Sequence, residues 1–143
     1  MPLSTRAAMI GWTCQFVCAA VLFQTLFFKF TGAEESRYIF ERLGLEPAGR
    51  IGSGIAELVA VVLLLVPRTV VYGAALALGV ITGAIVSHLT RLGVVVKDDG
   101  GLLFGLAVTV WCCSVAVLFI RRAQIPVIGR VLAGIGPPMA VVR

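Results

Sequence analysis

The chain has 143 residues, 59% of them hydrophobic and only 13% charged, with a mean hydropathy of +1.04. A soluble domain of this size has too little interior to hide so much apolar surface, so lipid must be the solvent for much of it. The net charge of +5 does not point to nucleic acid, because the arginines stand singly at the ends of apolar runs, where headgroups lie, and form no basic stripe.

The first apolar run, Ala7 to Phe28, is free of charge for 22 residues, and Lys29-Phe30 stands where a signal peptide would carry small residues for cleavage. It reads as a retained membrane helix over residues 7–30. Segment 34–43 mixes charged and apolar positions as a short interfacial helix does, with Gly44 placed to end it and Pro47 to open the next element. Helix two is expected over 51–66. Only 16 residues separate Arg50 from Pro67, fewer than the roughly 20 that cross a ~30 Å hydrocarbon core, so its arginine flanks are expected to snorkel. Pro67-Arg68 is a tight turn, which makes helix three, over 69–90, the antiparallel neighbour of helix two. Asp98 and Asp99 suit the dipole of helix four, over 101–120, which Arg121-Arg122 ends. The tail, 121–143, is broken by Pro126, Gly129, Gly134 and Pro137-Pro138 and is expected to lie along the surface. Run length and the lack of period-two alternation favour helices over strands. The fold class is therefore all-α, a single transmembrane four-helix bundle with an interfacial helix between helices one and two.

Four crossings put the N-terminus, the Pro67 turn and the tail on one side of the membrane. That side holds six Lys/Arg and no acid, whereas the other holds six Lys/Arg and six acids. The positive-inside count is tied, and the uncompensated bases favour cytoplasmic termini. Small residues recur at four-residue spacing, as in Gly52 and Ala56, Gly79 and Gly83, and Gly101 and Gly105. Close approach along such faces drives helix association in lipid, either within the bundle or in a homo-oligomer.

Two ionisable side chains lie well inside the apolar helices, Glu57 and His88, and Lys29 closes helix one. The antiparallel order carries all three toward the face with the two longer loops. An ionised carboxylate in hydrocarbon costs several kcal/mol or about that, so Glu57 is protonated, paired, or facing a wet cavity. Its partner is Lys29 or His88, and its role is either ligand binding and proton handling or a structural ion pair. The four cysteines form no C-x-x-C and no zinc ligand set, so no metal is expected. Cys14 and Cys18 share a helix face, and Cys18 and Cys112 fall at similar depth, which leaves a cross-helix disulfide open.

The strings Lys29-Phe30-Thr31-Gly32, Leu43-Gly44-Leu45-Glu46-Pro47, Glu57-Leu58 and Leu63 to Thr69 occur in an order and spacing that resemble the DoxX-like membrane proteins. So do Gly73-Ala74-Ala75-Leu76 and Gly83 to Leu89. The resemblance spans roughly residues 10–120. It implies a four-helix membrane bundle in which Lys29 and Glu57 form a recurring polar pair and His88 is the polar end of helix three. Some members look like the small subunit of a thiosulfate:quinone oxidoreductase, others associate with membrane-tethered redox complexes, and distant relatives act as assembly chaperones. Three functions follow as expectations. One is a redox accessory subunit holding a quinone- or lipid-like ligand near Glu57 and His88. The second is a non-enzymatic assembly factor for a membrane or redox protein partner. The third, proton-coupled transport, is unusual for four helices without dimerisation. The chain carries no intrinsic cofactor motif, so quinone is the only cofactor considered and enzymatic activity is left open. The expected location is the cell membrane of a bacterium, with the lipid bilayer as first partner.

Overall fold

The computed structural model describes residues 4–126 and Gly134, and these form helices joined by turns and loops, with no strand among them. The expected surface tail falls mostly outside the described residues. Helix α1 (Thr5–Thr31) opens at Ser4, whose hydroxyl accepts from the Ala7 amide, and closes at Gly32 in the left-handed conformation. Helix α2 (Glu34–Leu43) ends at Gly44, again left-handed, and carries acids in its first turn and Arg42 in its last. Helix α3 (Ala48–Leu65) follows Pro47, and α4 (Val70–Ser87) runs on into a π-helical turn, His88–Leu92. Helix α5 (Leu102–Ile120) completes the set, followed by a 3₁₀ turn, Arg122–Gln124.

Four of these helices are long and apolar enough to cross a membrane: α1, α3, α4 with its π turn, and α5. They form a ring in which α1 packs on α3 and α5, and α4 closes the opposite corner. Side chains such as Phe23, Phe27, Val62 and Phe119 point outward and stay exposed, an arrangement that needs lipid around it. The interior is packed from Cys18, Leu22, Ala60, Leu64, Ala74 and Val110.

Glycine is required by neighbouring backbone at Gly73 and sits tightly against a side chain at Gly54. A Cβ on Gly73 would sit 2.6 Å from the Leu64 nitrogen and 2.9 Å from the Leu63 carbonyl carbon. One on Gly54 would stand 3.1 Å from the Phe30 ring. The small residues singled out by four-residue spacing lie elsewhere. Cβ atoms on Gly52, Gly79, Gly83 and Gly105 would meet nothing within 4 Å, Ala56 is half-buried, and Gly101 is the left-handed residue before α5. Spacing alone does not tell which helix face turns inward.

Arg50 also departs from expectation. Because α3 begins at Ala48, Arg50 stands in its first turn with its side chain only 9% exposed, folded inward rather than snorkelling. The guanidinium grips both oxygens of Glu46 at 2.9 Å and donates to the Lys29 carbonyl, which the end of α1 leaves without an intrahelical partner. All four cysteines are free; Cys18 packs against Ser114 while Cys112 faces outward, so that pair is not bridged.

Candidate functional site

A cavity of about 600 Å³ lies beneath α2, walled by α1, α3, α4 and α5. Its lining is mainly apolar, including Val21, Phe28, Ile39, Phe40, Leu43 and Leu106, and Lys29, Glu57 and His88 all reach it. Glu57 is nearly sealed, with its side chain 3% exposed. Its Oε1 accepts from the Lys29 ammonium at 2.5 Å and its Oε2 accepts from the Thr25 hydroxyl at 2.8 Å. Thr25 and Lys29 are one turn apart on α1, so a single helix face supplies both donors. The Phe40 ring of α2 lies 5.8 Å from the same ammonium and closes over it.

His88 enters from the π turn. Its Nδ1 lies 2.8 Å from the carbonyl oxygen of Gly93, whose amide in turn donates to the His88 carbonyl. Its ring meets Phe104 edge to face at 5.6 Å. A π turn shifts the following residues off the α-helical register and is often found where a side chain has a task. His88 opens this turn, and both it and Ser87 before it line the cavity, with the Ser87 hydroxyl donating along its own helix. The structure thus brings Lys29 and Glu57 into contact and sets His88 on the same cavity without joining it to Glu57.

The roof is held by charge. Lys97, in the loop after the π turn, contacts Glu34 of α2 at 2.5 Å and lies over the Tyr38 ring. The hydrogen bond from Lys97 holds the Glu34 carboxyl below its ordinary value, and Glu34 raises Lys97 in return. Asp99 organises the rest of that loop: its two oxygens accept from the amides of Val96, Gly101 and Leu103, each at 2.9 Å. These bonds, the one from Leu103 foremost, keep its carboxyl below the usual range. Asp99 thus lies two residues before Gly101, the N-cap of α5, and accepts from an amide of its first turn, in keeping with the dipole role expected there for Asp99.

The family model described as DoxX-like matches residues 13–119, most of the chain and all four membrane helices in whole or large part. The chain belongs to the DoxX-like family. No curated protein and no solved structure matches it.

In this DoxX-like protein several working side chains escape a search for isolated charges. Thr25 was detectable from its placement one turn before Lys29. Arg50 and Glu46 were detectable as an i, i+4 pair across Pro47, once α3 is begun before Arg50. At the opposite end of the bundle, the fully buried Gln15 donates to the Leu64 carbonyl at 3.0 Å and accepts from Arg121 at 3.0 Å. Arg121 lies under Trp12 with 7% exposure, and burial pulls its guanidinium below the ordinary value. An amide in the middle of a charge-free run was the signal for this second network. Among the described residues no cluster of three or more ligating side chains could hold a metal ion.

Proposed function

We propose that this small integral membrane protein is an accessory subunit of a membrane redox system, in the cell membrane of a bacterium with its termini cytoplasmic, and that its cavity holds a quinone- or lipid-like amphiphile. One observation carries the reading: an apolar cavity of about 600 Å³ with a paired carboxylate and ammonium at one wall and an imidazole at another. Apolar lining with a few convergent polar groups is the usual make-up of a small-molecule site. Carboxylate and imidazole beside such a slot can exchange protons with a quinone headgroup.

The test is native mass spectrometry of the protein extracted mildly from its own membrane, with released small molecules identified in parallel. The wild type should carry a stoichiometric amphiphile. Gly83→Phe should lose it, because Gly83 lines the cavity, has open space where its Cβ would stand, and makes no hydrogen bond to Lys29, Glu57 or His88. An empty wild-type cavity would overturn the reading.

A second reading, an assembly factor for a membrane partner, has its own support. Gly52, Gly79 and Gly105 leave unfilled positions on exposed stretches of α3, α4 and α5 where another helix could approach. If Gly79→Leu releases a stoichiometric protein partner while the cavity proves empty, this reading takes precedence.

A further inference from the structure

The polar groups around the cavity divide into those already engaged and those that are not. Both oxygens of Glu57 are taken by Lys29 and Thr25. Lys97 is held by Glu34, and Asp99 by three backbone amides. Ser53 and Ser87 donate to carbonyls of their own helices. Gln24 and Glu35 also line it but are exposed; two buried side chains are left over, His88 on the π turn and Ser36 on α2. Each is only 6% exposed, each lines the cavity, and the elements that carry them pack together.

Neither His88 Nε2 nor Ser36 Oγ has a partner among the described residues, yet neither is walled in. Every fully occluded side-chain nitrogen or oxygen among those residues has a hydrogen-bond partner. Both atoms therefore keep a little accessible surface, and both residues line the cavity.

The chemistry of the imidazole is fixed by its other nitrogen. The Gly93 carbonyl can only accept, so Nδ1 carries the proton, and in the neutral ring Nε2 presents a lone pair. A quinone carbonyl offers nothing to a lone pair, whereas a hydroxyl does. Ser36, with one donor and two acceptor positions, can serve the same hydroxyl from the roof.

Resting on the reading of the cavity as a ligand site, we propose that its headgroup subsite is the His88–Ser36 pair and not the Lys29–Glu57 pair. That subsite takes an amphiphile bearing a hydroxyl, with Nε2 of His88 accepting the hydroxyl proton in a hydrogen bond. Two sources share this chemistry, the reduced hydroquinone form of a quinone and a long-chain alcohol of the membrane.

The experiment is calorimetric titration of the full, delipidated protein in detergent under reducing conditions. The probes are a short-chain hydroquinone, its quinone, its dimethyl ether and a polyprenol. One hydrogen bond to a buried acceptor should favour the hydroquinone over its ether by about ten-fold, and His88→Phe should bring that ratio to about two-fold or less with binding of the ether unchanged. Polyprenol in place of hydroquinone, with the same His88 dependence, supports the subsite and names a lipid alcohol as the source. Equal binding of hydroquinone, quinone and ether overturns the assignment and leaves the cavity reading standing; no binding of any probe overturns both. Should His88→Phe fail to fold, Ser36→Ala decides, since it leaves the π turn intact. It should weaken the hydroquinone and spare the ether, and an equal effect on both overturns the proposal.

Discussion

The Lys29 ammonium lies 2.5 Å from a Glu57 oxygen, in a pair whose two side chains come from α1 and α3 where Gly54 lets those helices meet. Two charges taken out of water stabilise each other only while both are present, so removing one leaves the other stranded. Lys29→Met and Glu57→Leu should each lower stability by about 3–5 kcal/mol, and the double variant should recover much of that loss. Thermal unfolding in detergent checks this. A double variant as unstable as the sum of the singles would show that the pair does not act as a unit.

The Glu34–Lys97 contact ties α2 to the loop after the π turn and is exposed, so it should respond to salt and pH. Glu34 is held below its ordinary value of 4.5, so its contribution is complete above that value and is lost as pH falls through the lowered one. Lys97 is raised above 10.5, so its contribution is complete below that value and is lost as pH rises through the higher one. Hydrogen exchange of α2 amides, corrected for intrinsic rate, should therefore be slowest between these limits. It should be faster in Lys97→Met at neutral pH and in high salt. Exchange in α2 that ignores Lys97→Met would remove the clamp from the account.

Glycine should matter at Gly73 and not at Gly79. Gly73→Ala drives a methyl into the backbone of α3 at 2.6 Å and should destabilise the α3–α4 hairpin markedly. Gly79→Ala meets open space and should be neutral, or stabilise by up to about 1 kcal/mol through helix propensity. Melting temperatures of the two variants provide the comparison, and equal effects would contradict the close approach at Gly73.

Gln15→Leu should cost about 1–3 kcal/mol, because it strands the Leu64 carbonyl at the end of α3 and deprives Arg121 of its acceptor. Gln15→Glu keeps the acceptor and loses the amide donor to Leu64. It should therefore fall between wild type and Gln15→Leu in the same melting assay.

The bundle and the depth of its polar residues were legible because lipid imposes hard rules on run length and on charge. Glu57 and His88 stood out against apolar helices, and the Pro67-Arg68 turn placed them on one side. What the chain did not disclose was which way a side chain turns at a helix end. Arg50 looked like a flank that reaches headgroups, yet beginning α3 at Ala48 swings it under Lys29. Gly52 and Gly79 repeat at the right interval, but a period fixes only that residues share a face, not that the face is inward. Ser36 is one serine in a charged segment, and its burial depends on how α2 lies across the bundle.

The Gln15–Arg121 network and the packed side chains of Cys18, Leu64, Val110 and Val117 fill the half of the bundle away from α2. The cavity is thereby a cul-de-sac. A ligand held there would have no path through the bundle core toward the Arg121 end, so it would enter and leave on the α2 side of that packed layer.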